Sequence, residues 1–148
     1  MTKLKQLQIH LLDKHLAQVS VPETVQGGWI RAVRSSLGMS IQQLAGRMGV
    51  AKQSVARLER NEADDSITLK SLRKAAEALN CRLVYVLVPE EGSLQAIVQK
   101  QALHKAKDIV SAVDHSMQLE AQGVGNLQQK IKETAEELAK NPNSKLWE

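Results

Sequence analysis

At 148 residues, 43% of them apolar but with no Phe, one Tyr and two Trp, the chain suits a core of Leu, Val, Ile, Ala and Met, which favours helices. One cysteine, Cys81, excludes an internal disulfide framework and fits a reducing cytoplasm, and the charge-broken N-terminus reads as neither signal peptide nor membrane span. The net charge of +4 is uneven: ten Lys/Arg stand against six Asp/Glu in residues 21–88 and seven against nine in 89–148, so the middle is expected to meet a polyanion and the tail is not.

In residues 3–19, Leu4, Leu7, Leu11, Leu12, Leu16 and Val19 recur at three- and four-residue spacing. That pattern predicts an amphipathic helix, ended by Ser20-Val21-Pro22. Lys3, Lys5 and Lys14 lie off the stripe. The helix is expected to pack on the core or on a second subunit; a basic arm touching DNA phosphates is the alternative. After Gly27-Gly28, Trp29, Ile30, Val33 and Leu37 mark one face of a second helix closed near Gly38, with Arg31 and Arg34 on the other face. Trp29 reads as a core anchor.

Residues 40–59 read as two short helices joined at Gly49. Ser40 is expected to cap the first, with Gln43 at the capping-box position and Ile41, Leu44, Ala45 and Met48 inside. Gly49 supplies the positive φ that the turn requires, and Ala45 lets the two helices approach. The next helix is expected over 51–60, with Val55 and Leu58 inward and Lys52, Gln53, Ser54 and Arg57 outward. These outward side chains suit DNA. Gln pairs bidentately with adenine, Arg and Lys pair with guanine, and Ser reaches a base or a phosphate. A merely solvated face would tolerate Glu or Asp, and this front has none.

A polar loop is expected over 61–65, followed by a helix capped by Thr68 that buries Leu69, Leu72, Ala75, Ala76 and Leu79. Lys70, Arg73 and Lys74 stay outside, and Asn80 takes the left-handed C-terminal position. Residues 82–88 then change period. Leu83, Val84, Tyr85, Val86 and Leu87 form the one convincing strand, stopped by Pro89. A lone strand leaves its backbone unpaired. The economical partner is the same strand of a second copy, antiparallel across a two-fold axis, which makes the protein a homodimer. Residues 93–122 read as a long helix with Leu94, Ile97, Val98, Ala102, Ile109, Val113 and Met117 on one side. A last helix, 126–140, carries Leu127, Ile131, Ala135 and Leu138, and Leu146 and Trp147 follow in a short tail. The region 93–148 is expected to be a helical hairpin on its own subunit or the grip for another protein.

Catalytic machinery is not expected. His104, Asp108 and His115 fall near one helical face, but two solvated histidines are the simpler reading than a metal site. No Cys/His cluster suggests zinc, and Gly123-Val124-Gly125 lacks the strand and lysine of a phosphate loop. Neither metal nor cofactor is expected.

The run Leu44-Ala45, Gly49-Val50, Gln53-Ser54-Val55 and Leu58-Glu59 resembles the Cro/repressor (Xre) helix-turn-helix family. The resemblance implies a lambda-repressor-like domain over 27–88 whose second motif helix lies in the major groove. It implies base contacts from Lys52, Gln53 and Arg57, and phosphate contacts from Ser40, Ser54 and Arg47. Helices followed by a strand are similar to the HipB-type antitoxins, which dimerise partly through such a strand. Across nearly the whole chain, Gly28-Trp29-Ile30-Arg31, residues 53–59, Leu83-Val84-Tyr85, Met117-Gln118-Leu119-Glu120 and Leu146-Trp147 resemble the family called mobile mystery protein A.

Members of that family typically stand beside a Fic-domain protein. The resemblance therefore implies an antitoxin-like, operon-regulating repressor with a Fic partner encoded nearby. Many Fic inhibitors carry [S/T]-x-x-x-E-[G/N], whose Glu pairs with an enzyme arginine and obstructs ATP. Ser116 and Glu120 fit that pattern, and Ala121 departs from it at the sixth position. The expected protein is mainly α: an N-terminal helix in 1–20, a DNA-binding domain in 27–88 with dimerisation strand 82–88, and a helical region 93–148 for partner binding or dimerisation. It would be a cytoplasmic homodimer on a near-palindromic double-stranded operator, without membrane contact. Two other readings stay open: an interaction protein that chiefly inhibits the partner enzyme, and a plain mobile-element repressor without a protein partner.

Overall fold

Helices dominate the computed structural model, which describes residues 2–117 and 125–148. The described elements are α1 (Thr2–Leu16), α2 (Trp29–Ser36), α3 (Ile41–Met48), α4 (Lys52–Ala63), α5 (Leu69–Ala78), α6 (Leu94–Met117), α7 (Gly125–Lys140) and a 3-10 turn at Ser144–Trp147. They fall into two units. One is Val21–Val86, with α2 to α5; the other joins Met1–Ser20 to Leu87–Glu148 and holds α1, α6 and α7.

In the first unit the predicted caps form. Ser40 Oγ accepts the Gln43 N–H while the Ser40 N–H donates to Gln43 Oε1 at 2.8 Å, so two N–H groups at the start of α3 are satisfied reciprocally. Gly49 closes α3 in the left-handed region at φ 69°. Thr68 Oγ1 accepts the Ser71 N–H to start α5, and Asn80 follows it at φ 56°. Ile30, Leu44, Ala45, Val55, Ala75 and Leu79 form the buried core. Trp29 is not part of it: half its surface is exposed, a departure from the expected anchor.

α4 also runs three residues beyond Arg60, through Asn61, Glu62 and Ala63. A reason lies outside the local sequence. The Glu62 carboxylate accepts the N–H groups of Trp29 at 2.9 Å and Ile30 at 2.8 Å, capping α2 from another helix. Gly28, the N-cap, sits at φ 92°, and a Cβ there would lie 2.7 Å from Glu62 Oε1. Glycine is required by both the torsion and the close carboxylate.

In the second unit α6 and α7 pack along each other. Val98, Ala102 and Leu146 form one buried cluster, and Ala106, Val110 and Ile131 another. α1 joins through Ile9, packed on the first cluster, and through Asp13, whose carboxylate accepts the Leu94 N–H at 2.7 Å and the Gln95 N–H at 3.1 Å. The α1 face that packs is therefore that of Ile9 and Asp13. Leu4, Leu7, Leu11 and Leu12, expected to bury the helix, are exposed.

Residues 82–88 make no ladder among the described residues. Val84, Tyr85, Val86, Leu87 and Val88 are exposed, with Leu87 at 89%. A strand exists only by its partner, and the described residues of one chain supply none.

Candidate nucleic-acid interface

The turn Gly49-Val50-Ala51 sets α4 against α3. Leu44, Ala45 and Val55 meet with almost no exposed surface, and Ala45 adds only a methyl group where the helices pack. That packing turns the first two turns of α4 outward. Lys52, Gln53 and Arg57 are exposed there and Ser54 is half-buried. The N-cap is Ala51, which has no side-chain acceptor. The Lys52 and Gln53 N–H groups, at the positive end of the α4 dipole, are thus left to water or to a phosphate, while the Ser54 N–H donates to the Ala51 carbonyl at 3.0 Å.

Both carboxylates of α4 point away from this front. Glu59 is buried and takes Arg34 in a two-pronged pair, Nε to Oε1 at 2.5 Å and Nη2 to Oε2 at 3.2 Å, while Arg34 Nη1 donates to the Met39 carbonyl. Arg34 is a half-buried tie between α2 and α4. Glu62 caps α2. The negative charge of α4 is therefore neutralised or engaged behind the helix, and its front is left with cations and an amide.

Arg60 continues the side of Gln53 and Arg57 at i, i+4, i+7 and is exposed. It lines a shallow cleft with Gln53, Ala56, Gly27 and the exposed Arg31. The motif does not point to either arginine, although the helical spacing alone marks Arg60. Ser40 sits apart, at the start of α3; its oxygen accepts the Gln43 N–H and its hydroxyl proton remains free to donate. Arg47 is held elsewhere. Its Nε donates to the Ala78 carbonyl at 2.6 Å and its Nη2 to Asn80 Oδ1 at 3.2 Å, closing the C-terminal end of α5.

The other predicted site residues belong to other segments than α4. Leu83 is half-buried in an apolar groove with Trp29, Val33, Leu72 and Val84, while Val84 to Leu87 stay exposed. Ser116 belongs to α6 by its backbone, but its side chain is outside the described residues, as is all of Glu120. His104 and Asp108 make an exposed 3.7 Å contact. No helix among the described residues is long and apolar enough to cross a membrane.

Two short helices locked at a glycine turn, the second presenting Lys, Gln and Arg without acid, define a DNA-binding helix-turn-helix, and by class a sequence-specific DNA-binding transcription regulator. Residues 30–86 match a family model described as helix-turn-helix, in agreement with the geometry of α3 and α4. Neither a curated protein nor a solved structure matches the chain.

Proposed function

We propose that the protein is a homodimeric repressor of its own operon that also acts as antitoxin to a Fic-domain partner encoded nearby. The acid-free front of α4 carries the first half of this reading. Lys52, Gln53 and Arg57 meet base edges in the major groove, and Ser54 and Ser40 hold phosphates. Two copies place their α4 helices about one DNA turn apart, roughly 34 Å, on a near-palindromic operator, and binding weakens as salt rises.

The second copy answers the unpaired segment 82–88. Antiparallel pairing across a two-fold axis would satisfy its backbone and cover Val84, Tyr85, Val86 and Leu87. The Fic partner rests on the likeness to mobile mystery protein A, with Ser116 and Glu120 as the inhibitory pair of the tail.

Replacing Gln53 and Arg57 together by Ala is expected to abolish operator preference in a footprint while light scattering still reports the dimer. An unchanged footprint sinks the DNA assignment. Co-purification with the neighbouring Fic product tests the partner. Glu120→Ala is expected to restore that enzyme's nucleotide transfer; if full inhibition persists, the tail glutamate is not the inhibitor.

A further inference from the structure

α1 has two apolar faces, and one of them is in use. On that face Ile9 packs against the Val98–Ala102–Leu146 cluster, Leu16 is half-buried, and Asp13 caps α6. Gln6 Nε2 adds a 2.6 Å bond to the Lys140 carbonyl. At about 100° per residue, Leu4, Leu7 and Leu11 stand on the opposite side of the helix. They are 59%, 51% and 47% exposed, and Leu12, on the flank, is 52% exposed. Leucines at i, i+3 and i+7 are the seam that one helix presents to another.

The charge around the seam restricts what covers it. Lys3, His10 and Lys14 border one side and Gln8 and His15 the other, all exposed. The one acid of α1, Asp13, is turned toward the N–H groups of α6. A second copy of α1 laid on the seam would set lysine against lysine if antiparallel and lysine against glutamine and histidine if parallel, with no carboxylate to pair in either case. An acidic helix meets both lysines favourably.

We propose that the Leu4–Leu7–Leu11 face docks a leucine-bearing amphipathic helix with Asp or Glu on its flanks, carried by another protein. The proposal uses none of Lys52, Gln53, Arg57, Ser116 and Glu120, so it stands or falls independently of the Fic reading.

The probe is a designed amphipathic peptide of about 18 residues, Leu at the a and d positions and Glu beside them, with a twin bearing Lys in place of Glu. Fluorescence anisotropy on the full chain is expected to show the acidic peptide binding at least about tenfold more tightly than the basic one. Leu7→Glu with Leu11→Glu abolishes that binding, and Lys3→Glu with Lys14→Glu reverses the preference. Circular dichroism controls for folding, which these exposed positions leave intact. Equal binding of the two peptides, or none, overturns the proposal. A fall in the protein's own mass in the Leu→Glu variant assigns the face to a second copy, and binding to phosphatidylglycerol vesicles but not to the acidic peptide assigns it to a membrane surface. Either result also overturns the proposal.

Discussion

Arg34 and Glu59 show how much a single pair can decide. With side chains only 12% and 9% exposed, neither charge tolerates loss of the other. Arg34→Ala is expected to cost about 3–5 kcal/mol in urea unfolding, because Glu59 is left buried and charged. The double change Arg34→Met with Glu59→Leu is expected to be far milder, with a loss of roughly 1 kcal/mol or a slight gain. Equal losses in both would mean that the pair is merely packing.

Arg47 poses the opposite question. Its bonds to Ala78 and Asn80 make it a helix-end tie. Arg47→Ala is therefore expected to lower stability by about 1 kcal/mol and to leave the salt dependence of operator binding unchanged. Lys52→Ala, by contrast, is expected to relax the preference at one operator base pair by about 1–3 kcal/mol, measured by competition with operators changed at that position. Neither pairing is legible in the sequence. Periodicity places Arg34 off the apolar face, but nothing local says that Glu59, twenty-five positions on, waits there.

At the scale of elements, what could be read was what local chemistry decides. Ser40 with Gln43, Gly49, Thr68 and Asn80 each fix a helix end through bonds or torsions within a few residues, and each predicted end is present. Where long-range contacts decide, the local pattern is silent. α4 is longer than its pattern because Glu62 serves α2. The leucine stripe of α1 marks an apolar face without saying that the less obvious face, Ile9 with Asp13, packs.

Asp13 gives the sharpest test at this scale. Asp13→Ala removes both side-chain acceptors from the Leu94 and Gln95 N–H groups, and is expected to cost about 1–2 kcal/mol. Amide hydrogen exchange should quicken in α1 and the first turn of α6 while α3 and α4 keep their protection. Uniform quickening across both units would refute the local role of Asp13.

For the whole molecule, the segment 82–88 carries the question of assembly. Its composition announces a strand, yet a ladder needs a second backbone, which no pattern within one chain can provide. Val86→Pro removes one donor and bends the segment. Light scattering is expected to show the mass falling from two chains to one, and operator affinity to drop together with two-fold symmetry of the footprint. A variant that stays dimeric would move the interface elsewhere. The DNA-binding class, by contrast, was legible from some twenty residues, because helix-turn-helix packing and base recognition both constrain residue type at fixed spacing.

The clamp of Asp13 onto α6 also orders events on the ribosome. α1 leaves the exit tunnel before α6, and its partners begin at Leu94, after the whole of Val21–Val86. At about 5–20 residues per second, close to eighty residues separate them, a wait of roughly 4–16 s. By the end of that interval the helix-turn-helix has all of its own core, Ile30 to Leu79, and can fold, while α1 has not yet met α6. The operator-reading half thus matures ahead of the half that α1 completes, and slowing translation between codons 20 and 94 would lengthen the time for which both faces of α1 stand open to other proteins.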